Sequence, residues 1–280
     1  MSKYLMIVAV ALLSVAAARA DISKDFGPVL PNGFGTESGY ELFITADTTI
    51  EDLYADGWRW MGGYANEHTA TVSGGVLSLT ATRSDDPHHF LYVPSDGTDY
   101  TRDSYQEVLL RVKVTGVAYD SRVGATVYCT EHDRIGYNSG INLLLRYESS
   151  LAFQMLNDKV AWNGGLNVPA EQDEWYWLRV RREMGDNGKD GVVYGNFWLA
   201  DGLTAEPGVL DDPTTWSCMW SGGGATNERE AGWAGILCNI GGSCDVDYVL
   251  IKSPSLIPEP ASMTLLALGG LALLRRGRRA

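Results

Sequence analysis

Positive charge is scarce in this sequence. It holds 22 Lys+Arg against 35 Asp+Glu, a formal net charge of −13 over 280 residues. Part of that basic charge sits at the two ends. Lys3 and Arg19 lie near the start, and Arg275, Arg276, Arg278 and Arg279 face a lone Glu259 near the finish. Without those ends the middle stands at −18. So acidic a body excludes a nucleic-acid partner, because phosphate binding needs clustered Lys and Arg. Cysteine is sparse too. There are four and no C-x-x-C, which argues against a zinc or thioredoxin-like site. Gly222-Gly223-Gly224 lacks the Lys-Ser/Thr of a phosphate loop and reads as a surface loop. Long, capped stretches of period 3.6 are missing from the body. The one helical candidate is the short Thr48–Tyr54, with Asp47 as its N-cap.

Aromatics and turn residues are plentiful: 9 Trp, 14 Tyr and 32 Gly. Together with the β-branched residues they exclude disorder. Strand-like runs recur between Gly, Asn, Asp and Pro clusters. They include Val76–Thr82, Glu107–Val114, Ala125–Cys129, Ile141–Tyr147, Ala152–Leu156, Trp175–Arg182, Tyr194–Ala200, Gly235–Cys238 and Asp245–Lys252. In Glu107–Val114 the apolar set Val108, Leu110, Val112 and Val114 alternates with Glu107, Leu109, Arg111 and Lys113. In Trp175–Arg182, Tyr176, Leu178 and Val180 alternate with Trp177, Arg179 and Arg181. Period two with one apolar set predicts half-buried antiparallel strands. Many short strands with turn signals predict an all-β antiparallel sandwich or jelly roll. No repeat or linker divides residues 40–252.

Both ends read as addresses. Residues 1–20 have a positive start at Lys3, a short apolar run at Leu5–Val15 and an A-x-A site at Ala18-Arg19-Ala20. That is a secretory signal peptide, the alternative being an uncleaved anchor. At the other end Pro258-Glu259-Pro260 precedes the apolar run Ala261–Leu274 and the Arg cluster Arg275, Arg276, Arg278 and Arg279. Fourteen helical residues span about 21 Å, short of a bilayer core of about 30 Å. The arginines read as a stop-transfer signal that leaves the body outside. One short transmembrane helix therefore tethers the precursor. These three elements in order resemble the PEP-CTERM sorting signal. The resemblance implies recognition by an exosortase, a membrane protease-transpeptidase. It also implies release or transfer of the body to the cell surface or exopolysaccharide matrix.

The expected organisation is thus a signal peptide at 1–20, an extension at 21–40, a jelly-roll domain at 41–253 and the sorting signal at 254–280. Within the body, Trp58 and Trp60 lead to Gly74–Leu79. Later come Glu174–Arg181, then Phe197–Gly202 and Trp216, and the chain closes on Asp245–Ile251. This order resembles a concanavalin A-like lectin/glucanase (laminin-G-like) domain. That resemblance implies either carbohydrate binding or glycoside hydrolysis.

A retaining glycosidase needs two carboxyl groups about 5 Å apart, which one strand can supply as E-x-D-x-E. That pattern is absent. Asp245 and Asp247 share one side of the last strand, but no third acid stands at 249. Nine Trp are enough for both core and ligand contacts. Trp175, Trp198 and Trp233 match strand runs and read as core. Trp58, Trp60, Trp162, Trp216 and Trp220 lie in Gly-rich or polar stretches and are the candidate sugar platforms, with Tyr64, Asn66 and His68 nearby. His88-His89 would point to opposite faces of a strand, so the pair reads as loop rather than chelate. A structural Ca²⁺ is implied by the resemblance. Its candidate loops are Asp120, Asp186-Asn187-Gly188, Asp201-Gly202 and Asp211-Asp212, all of which also suit ordinary turns. Four cysteines allow three pairings. Cys238 and Cys244 bracket a Gly-rich loop between two strand runs, where opposed positions lie in disulfide range. The expected bridges are Cys238–Cys244 and, by elimination, Cys129–Cys218.

Three functions remain open. The first is an exported surface or matrix protein that binds extracellular polysaccharide without catalysis. The second is a hydrolase whose acids come from separate strands. The third is a structural matrix protein with no ligand. Repulsion by the acidic body favours neutral or cationic glycans.

Overall fold

The computed structural model describes residues 40–61, 67–82, 88–93, 105–129, 140–157, 168–184, 191–200, 218–221 and 232–253. The expected signal peptide, the expected extension up to residue 39 and the sorting tail lie outside them, while Tyr40 opens the first strand. Among the described residues no helix is long and apolar enough to cross a membrane.

Period two governs nearly every element. The strands are β1 Tyr40–Phe43, β2 Trp58–Met61, β3 His68–Ser73, β4 Val76–Ala81, β5 His89–Tyr92, β6 Tyr105–Gly116, β7 Arg122–Cys129 and β8 Ile141–Tyr147. They continue as β9 Leu151–Asn157, β10 Val168–Pro169, β11 Trp175–Met184, β12 Gly191–Leu199, β13 Cys218–Ser221, β14 Trp233–Asn239 and β15 Ser243–Lys252. Two antiparallel sheets result. The first has the order β13-β12-β11-β6-β15-β4-β3, with β1 also paired to β15. The second has the order β10-β9-β8-β7-β14-β5-β2. This is the expected β-sandwich.

The apolar sets meet between the sheets. Leu77, Leu110, Leu178 and Val246 from the first pack with Leu143, Phe153 and Ile236 from the second. Each such side chain contributes about 1.5–3 kcal/mol on burial. Trp58 joins this core, only 1% exposed. Its ring stacks on Phe90 at 5.3 Å and its Nε1 donates to Tyr40 Oη at 2.9 Å. A ring so enclosed has no open face for a sugar, which corrects the platform expectation at this residue.

Other expectations shift in detail. The helix, α1, spans Ile50–Asp56, and its cap is Thr49 rather than Asp47. Thr49 Oγ1 accepts from Asp52 N while Asp52 Oδ2 accepts from Thr49 N, a reciprocal capping box. His89 opens β5 instead of lying in a loop, because it pairs with Leu237 and Met61. Trp198 packs outside the sandwich, on the outer face of the first sheet, with Trp175 against the same cluster. Trp233 packs against a small cluster of Leu91, Val93 and Cys129. Gly74 and Gly75 both have positive φ, 60° and 81°. They close the two-residue β3–β4 hairpin, where the left-handed backbone suits glycine.

The β14–β15 connection is the main topological surprise. Ile240 and Gly241 have φ of 55° and 70°, and Gly242 N donates to Asn239 O at 3.0 Å. The turn is as tight as a hairpin, yet β14 belongs to the second sheet and β15 to the first. It closes one end of the sandwich instead of extending a ladder.

Candidate functional site

β6 is flanked by β11 and β15 in the first sheet. Because Val108, Leu110, Val112 and Val114 point inward, Arg111 and Lys113 face outward. The register sets Lys113 opposite Trp175 on one side and Asp245 on the other. Arg111 likewise stands between Trp177 and Tyr248. A β-bulge between Val246 and Tyr248 lets Asp247 and Tyr248 share the outer side, while Val249 returns to the core. A bulge of this kind re-aims a side chain without breaking the sheet.

The outcome is a compact charged and aromatic set. The Trp175 ring centroid lies 4.7 Å from the Arg111 guanidinium carbon and 5.1 Å from Lys113 Nζ, within cation–π range. Lys113 Nζ is 3.0 Å from Asp245 Oδ2, and Ser78 Oγ donates to Asp245 Oδ1 at 2.7 Å. Arg111 pairs with Asp247. Burial holds the Asp247 carboxyl above the usual carboxylate range, although Arg111 pulls it the other way. Arg111 and Lys113 keep side-chain exposures of 15% and 25%, and Trp175 is half-buried.

The support behind this set is a buried aromatic cluster. Trp177 stacks with Trp198 at 6.4 Å and meets Tyr248 edge-on at 5.5 Å, with Leu109 and Leu250 in the same cluster. Further along the face Glu107 pairs with Arg179, and both are buried. Arg181 NH1 stands 3.6 Å from the same carboxylate.

Chemically, the set offers one part-exposed indole, two cations and two carboxylates, and its local charge cancels. Flat sugar faces stack on such rings while hydroxyls meet the polar groups. Asp245 and Asp247 do share the outer side of β15, but each is held by its own cation. The strands of the second sheet contain no Asp or Glu at all.

Among the described residues, the Trp singled out by sequence lie on two strands, β2 and β13. Trp60 is half-buried at the other sheet's margin, its ring stacked on His68 at 4.4 Å. His68 stands 5.3 Å from His88, ring to ring, and His88 Nε2 is 3.6 Å from Glu67 Oε2. Burial first, and then His88, push His68 down to about 4. Trp220 lies on β13. Trp162, Trp216, Tyr64 and Asn66 lie outside the described residues, as do Asp186, Asp201, Asp211 and Asp212. Asp120 is described, and Arg122 and Arg146 take its carboxylate. Among the described residues no group of three or more His, Cys, Asp or Glu could hold a metal ion.

Sequence reasoning missed Trp175, Arg111 and Lys113 as site residues. The signal was present: the outward halves of two period-two runs, read together, put them on one face.

Cys238 and Cys244 are buried thiols, one in each sheet. The Cys244 thiol is raised by its hydrogen bond with Cys238 and then by burial. They meet across the sandwich and not along one ladder, as two free thiols with no bond between them. Cys129 ends β7 in the second sheet and Cys218 opens β13 at the edge of the first.

Comparison with known proteins identifies the tail. Residues 256–279 match the PEP-CTERM protein-sorting motif. The motif marks an exported protein handled by exosortase at the membrane. No curated protein matches the chain. Among solved structures, the chain is similar to arcelin-5, a lectin-like defense protein from Phaseolus vulgaris. The TM-score is 0.41 at 12% identity, over 78% of this chain and 99% of that one. It is also similar to the marine PL-14 alginate lyase from Aplysia kurodai, at TM-score 0.44 and 8% identity, over 78% and 100% of the two chains. An engineered GH43 glycoside hydrolase gives 0.45 at 13% identity, over 78% of this chain and 41% of that one.

Proposed function

We propose that the sandwich is a non-catalytic carbohydrate-binding module, carried by its sorting tail to the cell surface or the extracellular polysaccharide matrix. The observation that carries the reading is the Trp175 set on the outer face of the first sheet. One part-exposed indole is flanked by Arg111, Lys113, Asp245 and Asp247. The balanced local charge and the acidic body both favour a neutral glycan, since a sulfated or uronic chain meets net repulsion. The absence of acids from every strand of the second sheet, with Asp245 and Asp247 both ion-paired, weighs against the hydrolase alternative. In the oxidising exported compartment the Cys238–Cys244 pair closes into a disulfide.

The test is a glycan array probed with the exported protein, with and without Ca²⁺, followed by a reducing-end assay on each hit. Saturable retention without new reducing ends is expected, and Trp175→Ala should abolish it while Trp60→Ala leaves it in place. Retention unchanged by Trp175→Ala would remove this face from the reading. Release of reducing sugar that disappears in Asp247→Asn would establish a hydrolase instead.

A further inference from the structure

The row of side chains that begins at Trp175 does not end at Asp245. The registers carry it straight across five strands of the first sheet. Trp175 of β11 stands opposite Lys113 of β6, and Lys113 opposite Asp245 of β15. Asp245 stands opposite Ser78 of β4, and Ser78 opposite Thr71 of β3. Leu77, Leu79 and Val246 lie in the core, and Ala70 and Val72 pack against it, so period two turns the row outward. Thr71 is exposed and the other four are part-exposed. β3 is the last strand on that side of the sheet, so the row runs out at an open edge. At the other end Ala200, whose N donates to Trp175 O at 2.8 Å, is buried, which makes the indole the beginning of the row.

The row is continuous in chemistry as well as in place. Lys113 Nζ reaches one oxygen of Asp245 and Ser78 Oγ reaches the other, so the middle three side chains hold one another in position. An ammonium carries three donors, and a hydroxyl donates once and accepts twice, so each keeps capacity for a further partner. Two residues along the strands Thr80 faces Ser243, and Thr115 Oγ1 lies 3.2 Å from Ser243 Oγ. These hydroxyls form a second line beside the first. On the opposite flank Trp177 and Tyr248 are closed, at 1% and 0% exposure. Four steps at a strand spacing of about 4.8 Å make about 19 Å, the length of about five pyranose rings in an extended chain.

We propose that this row is an extended binding track. It takes the interior of a neutral glycan chain, laid across the strands over about five units, and not a single terminal sugar. One ring stacks on Trp175, and the hydroxyls of the following rings meet Lys113, Asp245, Ser78 and Thr71 in turn. Adjacent strands rotate by about 20–25°, so over four steps the row turns by about 80–100°. A chain that follows it is therefore a twisted single strand. The face of a crystalline glycan is flat and leaves the row after its first rings. The inference rests on the reading of Trp175 as a sugar platform, and it adds the length and form of the ligand.

The test is calorimetric titration of the exported protein with three neutral β-1,4-linked series, of glucose, mannose and N-acetylglucosamine, each from one to six units. In at least one series affinity should climb with each unit to about five and then level. Thr71→Val, at the open edge and about 19 Å from the indole, should weaken the five-unit ligand by about 2–10-fold, the loss of one hydrogen bond. The two-unit ligand should be unaffected. Trp175→Ala should abolish binding at every length, and microcrystalline cellulose and chitin should retain little of the protein. Affinity already complete at one or two units and lost in Trp175→Ala would keep the Trp175 site and overturn the track. A gain with length that Thr71→Val and Ser78→Ala both leave intact would overturn it too. So would retention on crystalline powder that soluble chains cannot displace. No binding in any series, or binding that survives Trp175→Ala, would remove the Trp175 reading and the track with it.

Discussion

Cys238 and Cys244 touch across the two sheets, six residues apart in sequence at the end the Asn239–Gly242 turn closes. A bond between them would tie sheet to sheet at that end, which no backbone ladder does there. Oxidation removes two protons and two electrons, taken by a disulfide donor of the exported compartment. Both thiols are fully buried, and the raised Cys244 keeps little thiolate, so the bond should form before the sheets close. Non-reducing peptide mapping of the exported protein should link Cys238 to Cys244. A link from either one to Cys129 or Cys218 would refute the pairing. Reduction should cost about 2 kcal/mol, as the chain-entropy model gives for so short a loop.

The buried Glu107–Arg179 pair makes a stability prediction. Side-chain exposures are 1% and 3%, so removing one partner strands a charge away from water. Arg179→Met should destabilise by about 3–5 kcal/mol. Arg181, at 3.6 Å and 24% exposed, compensates only in part. The double variant Glu107→Gln/Arg179→Met should recover much of the loss. Urea unfolding of the three proteins checks this, and a double variant no better than Arg179→Met would show that the charge is not the cause.

His68 predicts an acid sensitivity. Its ordinary value is 6.5, and the fold pushes it down to about 4. Between those values the unfolded chain binds a proton that the folded chain does not. Stability is therefore complete above about pH 6.5 and falls as pH drops toward 4. Glu67 opposes the shift and His88 adds to it. His68→Phe keeps a ring against Trp60 and removes the proton site, so its melting temperature should fall less between pH 7 and pH 4 than the parent's. Parallel curves would place the acid sensitivity in other groups.

Period two made most of the sandwich legible. Ile141–Tyr147 was predicted to the residue, and β4, β6, β11 and β15 to within a few. What local pattern could not carry was which sheet each strand joins. The 239–242 turn looks like a hairpin because its backbone is one, and only long-range pairing of β15 with β6 and of β14 with β7 sends the strands apart. The same gap misplaced Trp58 and Trp175. Both sit in strands, but whether a ring faces the core or the outside depends on which neighbour supplies the opposing surface. Asp247 was legible as a partner of Asp245 on one face. The bulge that seats Tyr248 beside it was not, because a bulge leaves no mark in a period-two run until the register is known.

Trp175 and Trp177 share the outer side of β11 and should separate binding from folding. Trp177 is 1% exposed and wedged between Trp198 and Tyr248. Its loss to Ala should cost about 3–5 kcal/mol, as deletion of a buried ring does. Trp175 is half-buried and lies over Arg111 and Lys113. Its loss to Ala removes cation–π contacts of about 0.5–2 kcal/mol and leaves the stack behind it intact. Thermal melts should therefore drop sharply for Trp177→Ala and little for Trp175→Ala, whereas glycan retention should vanish in Trp175→Ala at temperatures where it remains fully folded. Equal losses of stability would mean that Trp175 is a structural lid on the ion pairs and not a platform. Lys113 decides the remaining case. It is tied to Asp245 at 3.0 Å and lies under the Trp175 ring, so Lys113→Met should weaken retention through lost hydrogen bonding while the ring keeps its support.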